Sequence, residues 1–261
     1  TRVRSSAASD VYKRQDRNAP QLRKHNLKKS NMTTLTQIGQ HAYSYPETLQ
    51  NSYDLACHMI AKNIDGDFVE CGVAAGAQIM AMSLANIHKQ GNRTIWAYDS
   101  FEGIPMAGEF DDVQVGIGEI KHDKYAPLEE RLVSSGITVH SMENVQETFK
   151  KYNLPLENTR WVKGWFQHTL PMHADEIKEI SILRLDGDLY ESTLVCLQHL
   201  YPKVVVGGAV IVDDYLLTGC RLAVEHYFDS IKQDMPEMIC VDNNMVHYFI
   251  KKQYPICFPE D

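Results

Sequence analysis

From residue 46 onward, short apolar runs alternate with stretches whose apolar residues recur every three or four positions. Leu49, Tyr53, Leu55, Ala56, Met59 and Ile60 share one helical face, which predicts a helix from Pro46 to Asn63. Asp65-Gly66 reads as a turn, and Asp67–Cys71 predicts a strand that stops at Gly72. A helix over about 75–89 follows, then a strand over Thr94–Tyr98 that ends at Asp99. Residues 103–135 carry Gly103, Pro105, Gly108, Gly116, Gly118 and Pro127 without steady periodicity, which predicts a lid or binding loop. A helix at about 143–152 leads to a strand at Arg160–Lys163. The runs 180–185 and 208–212 predict two further strands, each followed by a helical pattern, 190–201 and 219–233. Met238–Val241 and Val246–Lys251 complete seven strands, so closely spaced that one is expected to run antiparallel.

Strands alternating with helices predict an α/β fold: a doubly wound, mostly parallel seven-stranded sheet with an N-terminal helical extension and an inserted lid. Residues 35–261 are expected to form one domain. Of the lead-in, 1–15 resemble translated adaptor sequence and are set aside, and the basic, polar stretch 16–34 is expected to be disordered.

Composition narrows the classes open to this chain. With 44% hydrophobic and 23% charged residues over 261 positions, it has the makings of a sizeable core. A net charge of −8 argues against nucleic-acid and anionic-membrane partners. No apolar run approaches the roughly 20 residues that span a bilayer. The six cysteines are scattered through apolar stretches with no Cys-x-x-Cys pair, as expected of reduced thiols in a cytoplasmic protein.

Two acidic clusters, each at the end of a strand, hold the candidate chemistry. Asp186 and Asp188 stand in Leu185-Asp-Gly-Asp-Leu-Tyr-Glu-Ser192, and Asp213 and Asp214 in Val212-Asp-Asp-Tyr215. Carboxylates at the carboxyl edge of a parallel sheet lie where such folds place their ligands. Four together repel one another and protonate unless a cation offsets them. With only oxygen ligands, that cation is expected to be Mg²⁺ or Mn²⁺, on Asp186, Asp213 and Asp214. Both members of the adjacent pair reach one ion only where the strand turns. Gly187 is expected to supply the tight path between Asp186 and Asp188, and Asp188 to act as general base.

The first strand–turn–helix, Glu70-Cys-Gly72-Val-Ala-Ala-Gly76, lacks the three glycines that admit a pyrophosphate. It suits S-adenosylmethionine, with Glu70 facing the ammonium group and Asp99 the ribose hydroxyls. Trp165 and Phe166 are either core or a wall for adenine, and His168 is read as a surface or packing residue. Against this stand a nicotinamide-dependent oxidoreductase, a non-catalytic binding protein, and the reading of single strand-end acids as helix caps.

With these motifs in order, the chain resembles the macrocin O-methyltransferase (TylF-type) family from about residue 43 to 250. The resemblance is carried by Gly66-Asp-Phe-Val-Glu-Cys-Gly-Val73, Tyr98-Asp-Ser-Phe-Glu-Gly-Ile-Pro105, Val162-Lys-Gly-Trp-Phe166 with Thr169-Leu-Pro171, Leu185–Thr193, and Gly207-Gly208 through Tyr215. It implies a class I, S-adenosylmethionine- and Mg²⁺-dependent O-methyltransferase for hydroxyls of sugars or other natural-product small molecules. It also implies Ser100 in the cofactor site and repeats the metal and base assignments. Two departures are visible: Ala74-Ala75 replaces a bulkier, often Trp-Arg pair, and Gln167-His168 stands where an acid commonly precedes Thr-Leu-Pro. The N-terminal helical segment is the surface expected to pack against a second subunit in a homodimer.

Overall fold

In the computed structural model, which describes residues 33–112, 114–115, 118–242 and 245–252, the apolar runs form a central sheet buried on both faces. The lead-in over 1–32 lies outside the described residues. Thr33 and Thr34 already belong to the fold. Thr33 Oγ1 donates to the Tyr152 carbonyl at 2.6 Å, and Thr34 forms a capping box with Gln37 at the start of α1 (Leu35–Ile38). Pro46, which has no N–H to leave unpaired, begins α2 (Pro46–Ala61).

The chain continues through β1 (Asp67–Cys71), α3 (Ala77–Lys89) and β2 (Ile95–Asp99). The 103–135 segment is less irregular than expected: it contains the hairpin β3 (Gln114–Val115) and β4 (Gly118–Glu119) and a helical turn α4 (Leu128–Arg131). Then follow α5 (Met142–Lys151), β5 (Thr159–Lys163), α6 (Phe166–His173), β6 (Ile180–Leu185), α7 (Tyr190–Leu200), β7 (Val204–Val212), α8 (Thr218–Ser230), β8 (Ile239–Cys240) and β9 (His247–Ile250). Helix α6 escapes the sequence pattern because it is eight residues long and contains Pro171. Strand β7 begins at Val204, four residues before the reading, because Gly207-Gly208 interrupts its apolar run.

The sheet order is β5-β2-β1-β6-β7-β9-β8; β9 runs antiparallel to both β7 and β8, and the other pairs are parallel. Successive residues of a strand serve opposite faces. Phe68, Ile182 and Ile211 pack with Met59, Ile79 and Phe149 on one side. Val69, Leu183 and Val210 pack with Leu197, Phe228 and Phe249 on the other. Two cores explain why the central strands read as unbroken apolar runs.

Phe249 makes the reversed strand part of the second core, 1% exposed and edge-on to Phe228 at 5.8 Å between centroids. Phe249→Ala should cost about 3–5 kcal/mol in urea unfolding. A cost under about 1 kcal/mol would mark β9 as an appendage.

Candidate active site

The order of the sheet dictates where a ligand fits. From β1 the chain builds outward through β2 to β5, and from the adjacent β6 it builds the other way through β7. Beyond the carboxyl ends of β1 and β6 the connections diverge and leave a crevice. A cavity of about 510 Å³ opens there, lined by Glu70, Gly72, Asp99, Ser100, Trp165, Phe166 and all four candidate aspartates. The N-terminal segment His41–Tyr45 forms part of its wall. Gly76 is set back from the cavity, at the start of α3 with φ 88°. His168 bonds Glu129 at 2.9 Å, half-exposed.

The turn after β1 is shaped by its neighbours. A Cβ on Gly72 would lie 1.6 Å from the Asp186 carbonyl oxygen, so glycine alone lets β1 and β6 end side by side. Asp99, expected to face ribose hydroxyls, lines the cavity and also holds this turn together. One carboxylate oxygen accepts from the Val73 and Ala74 amides at 2.6 and 3.0 Å, and the other from the Phe101 amide at 2.6 Å. Burial still pushes its carboxyl above the ordinary range, with these bonds acting the other way.

The acids converge, in an arrangement more specific than their positions in the sequence suggest. Ligand oxygens of Asp186, Asp188 and Asp214 lie within 4.8 Å of one another. Asp213, named with Asp186 and Asp214 in the sequence reading, lies outside that group: its Oδ1 accepts from Arg184, which also donates to Asp186. The chain turns directly after β7, and the neighbouring acids diverge. Asp214 Oδ2 accepts from the Asp188 amide at 2.9 Å. The left-handed residue in the first cluster is Asp188, at φ 57°, and not Gly187. Gly187 is needed for space instead, since a Cβ there would meet Ser192 at 3.0 Å and Phe166 at 3.3 Å.

Arg184 is the site residue that sequence reasoning missed. It is fully buried in β6 and faces Glu70 across the β1–β6 ladder. Its Nε donates to Glu70 Oε1 at 3.1 Å, and its Nη2 donates to Asp186 Oδ2 at 2.9 Å and to Asp213. A lone charge inside the run Ile180–Leu185 was the available signal, because a buried guanidinium requires acidic partners. One cation does not balance five acids. Burial, then the Asp213 charge, pushes Asp188 up to about 7, and burial pushes Glu70 up to about 8 despite Arg184. Asp186 and Asp214 are also raised, by burial first and then by neighbouring carboxylates. Oxygen-only donors, close together and short of positive charge, fit a hard divalent cation. Glu70 Oε2 and Arg184 Nη1 are buried without a hydrogen-bond partner among the described residues, and Glu70 lines the cavity.

A doubly wound sheet with a loose glycine turn and an acid-rich crevice at its switch point is an arrangement that suits a methyltransferase of the S-adenosylmethionine-dependent class. The chain belongs to the macrocin O-methyltransferase (TylF) family, whose model matches residues 3–251. That match begins within the first fifteen residues. Demethyldecarbamoylnovobiocin O-methyltransferase of Streptomyces niveus is 39% identical over 203 residues, 77% of this chain and 72% of that protein. Mycinamicin III 3''-O-methyltransferase of Micromonospora griseorubida is 33% identical over 170 residues, 64% of this chain and 61% of that protein. The solved structure of the O-methyltransferase NovP shares 34% identity at a TM-score of 0.67, covering 82% of this chain and 83% of its own. The calicheamicin methyltransferase CalS11 shares the fold at a TM-score of 0.60 and 16% identity, over 83% and 89% of the two chains. This chain is an O-methyltransferase, and the nicotinamide oxidoreductase is set aside.

Two outcomes follow from the charge balance. Arg184→Met keeps similar volume but strands Glu70, Asp186 and Asp213, and should cost about 3–5 kcal/mol in urea unfolding at neutral pH, less near pH 5. The second concerns protons. Because Asp188 and Glu70 titrate near 7 and 8 when folded, the metal-free protein binds more protons than its unfolded chain, whose carboxyls titrate near 4. Their contribution to stability is therefore greatest at low pH and falls as pH rises through 7 to 8. Urea midpoints in EDTA should drop between pH 5 and 9, and magnesium should flatten the slope. A flat profile in EDTA would contradict the charge balance.

Proposed function

We propose that this protein methylates a hydroxyl of a sugar or related natural-product small molecule, using S-adenosylmethionine and a divalent cation, Mg²⁺ or Mn²⁺. The observation that carries the reading is the convergence of Asp186, Asp188 and Asp214 at one end of a 510 Å³ cavity whose other wall is the glycine turn. Family membership supports the reaction, the substrates named for the relatives support a natural-product acceptor, and a further relative named for a rhamnosyl-tetracenomycin supports a sugar hydroxyl.

Asp186 and Asp214 would hold the cation, with Asp213 contributing the oxygen not tied to Arg184. Bound there, the cation supplies Lewis acidity that lowers the pKa of an acceptor hydroxyl. Asp188 takes the hydroxyl proton. Its carboxyl is held protonated toward neutral pH by burial and by Asp213 in the metal-free site, and would give up that proton when the cation binds, which frees it to act as the base. The Gly72–Ala74 turn and Ser100 receive the cofactor, and Glu70 Oε2, held from behind by Arg184, accepts from its ammonium group. Trp165 and Phe166 line the cavity beside them and keep water from the reacting atoms. Position and electrostatics then provide most of the acceleration.

No helix among the described residues is long and apolar enough to cross a membrane. Cys57, Cys71, Cys196 and Cys220 form no disulfide. The net charge of −8 supports a small-molecule acceptor rather than nucleic acid or an anionic membrane surface. His41–Tyr45 at the cavity wall would leave the rest of the N-terminal segment for a second subunit in a homodimer.

Asp188→Asn separates base from ligand. Turnover of a deoxysugar glycoside panel should fall a hundredfold or more, within the roughly 10²–10⁴ attributed to a general base. Magnesium and S-adenosylhomocysteine should still bind by calorimetry. Loss of magnesium binding would make Asp188 a ligand and move the base elsewhere.

A further inference from the structure

Helices α7 and α8 begin directly behind the two acid turns, and neither has a cap of its own. Their N-cap residues are Leu189 and Leu217, whose side chains accept no hydrogen bond. The acceptors come from a distant stretch of chain. Asp111 Oδ1 accepts from the Tyr190 amide at 2.7 Å, and Asp112 Oδ2 accepts from the Thr218 amide at 2.8 Å. The second oxygen of Asp111 accepts from the Gly108 amide at 2.8 Å, which fixes its direction. Gly219, the second residue of α8, makes the reach possible: a Cβ there would stand 2.1 Å from Asp111 Oδ1. Around this point Phe110 packs on Tyr190 at 4.6 Å between centroids, and Arg131 pairs with Glu191.

We propose that Asp111 and Asp112 are positioning residues, which cap α7 and α8 across the crevice and so hold the Asp188 and Asp214 turns in mutual register. Backbone bonds at the strand ends hold Asp186 and Asp213, and the turns that carry Asp188 and Asp214 run on beyond them. Asp188 sits in the left-handed region, two residues before the capped amide of Tyr190. Its own amide donates to Asp214 Oδ2, and the Leu217 amide donates back to the Asp214 carbonyl at 2.9 Å. Rotation of either first helical turn therefore moves one acid against the other. The two carboxylates also offset part of the positive end of each helix. The consequence for chemistry rests on the reading of Asp188 and Asp214 given above; the capping itself does not.

Amide hydrogen exchange of the full-length protein, followed by mass spectrometry, tests the capping without relying on activity. In the double variant Asp111→Ala/Asp112→Ala, peptides spanning 186–193 and 213–220 should exchange about fivefold faster or more, the scale of a lost cap. Peptides from β1 and β2 should keep their protection. Gly219→Ala, which keeps both acids in the sequence but drives a methyl group against Asp111 Oδ1, should produce the same local change over 186–193. Asp112→Asn keeps an acceptor oxygen and should preserve wild-type exchange at 213–220. Mn²⁺ affinity by electron paramagnetic resonance should fall in the double variant while S-adenosylhomocysteine binds as before. Unchanged exchange at both turns would overturn the proposal, as would a rise spread over the whole sheet. A local rise in a protein that binds no Mn²⁺ in any form would leave the capping standing and count against the functional reading instead.

Discussion

A single guanidinium, buried in the central strand of the sheet, is the constraint around which this site is arranged. Arg184 faces Glu70 across the ladder and reaches Asp186 and Asp213 at the strand ends. Burying such a charge is expensive unless its donors are met, and three carboxylates meet those of Nε and Nη2. The same contacts join the two halves of the crevice. Glu70 belongs to the wall beside the glycine turn, and Asp186 and Asp213 belong to the acid end, so one side chain braces the two ends of the cavity against each other. Charge remains unbalanced all the same: Glu70, Asp186, Asp188, Asp213 and Asp214 share the cavity wall with one arginine behind it. Under the proposed function, a divalent cation and a cationic methyl donor would relieve that excess.

The backbone places these groups with little freedom. Gly72 lets β1 end in contact with Asp186, and the Asp186 amide donates to the Cys71 carbonyl at 2.8 Å. The Asp213 amide donates in turn to the Leu185 carbonyl at 2.8 Å. Three adjacent strand ends are thereby stitched together at the level where the side chains emerge. Past this point the acids take separate directions, Asp213 toward Arg184 and Asp214 toward the Asp188 amide. Precision in the site comes from rigid strand ends, and the 103–135 segment supplies caps for the helices behind them.

Much of this was legible in the sequence. Alternation of apolar runs with helical spacing placed all seven strands, because burial on both faces leaves a strong pattern. The acids were visible because carboxylates rarely end buried strands in such numbers. What stayed hidden depends on tertiary contact. Arg184 looks like an intrusion in an apolar run until Glu70 is found across the ladder. Asp99 looks like a free ribose acceptor until the Val73 and Ala74 amides are found on it. Gly187 looked like the bend, yet the left-handed conformation falls on Asp188, because Ser192 and Phe166 leave no room for a side chain at 187. Asp111 and Asp112 carry no signal at all, since a helix capped from elsewhere looks merely uncapped.

The most direct measurement of the charge account is the number of protons displaced when the metal enters. Calorimetric titration of the metal-free protein with Mg²⁺ at pH 7, repeated in buffers of different ionisation enthalpy, yields that number. Carboxyls held near and above 7 by burial and mutual repulsion should release about one proton per ion bound, or more. Binding with no proton release, or no binding at millimolar Mg²⁺, would contradict the account.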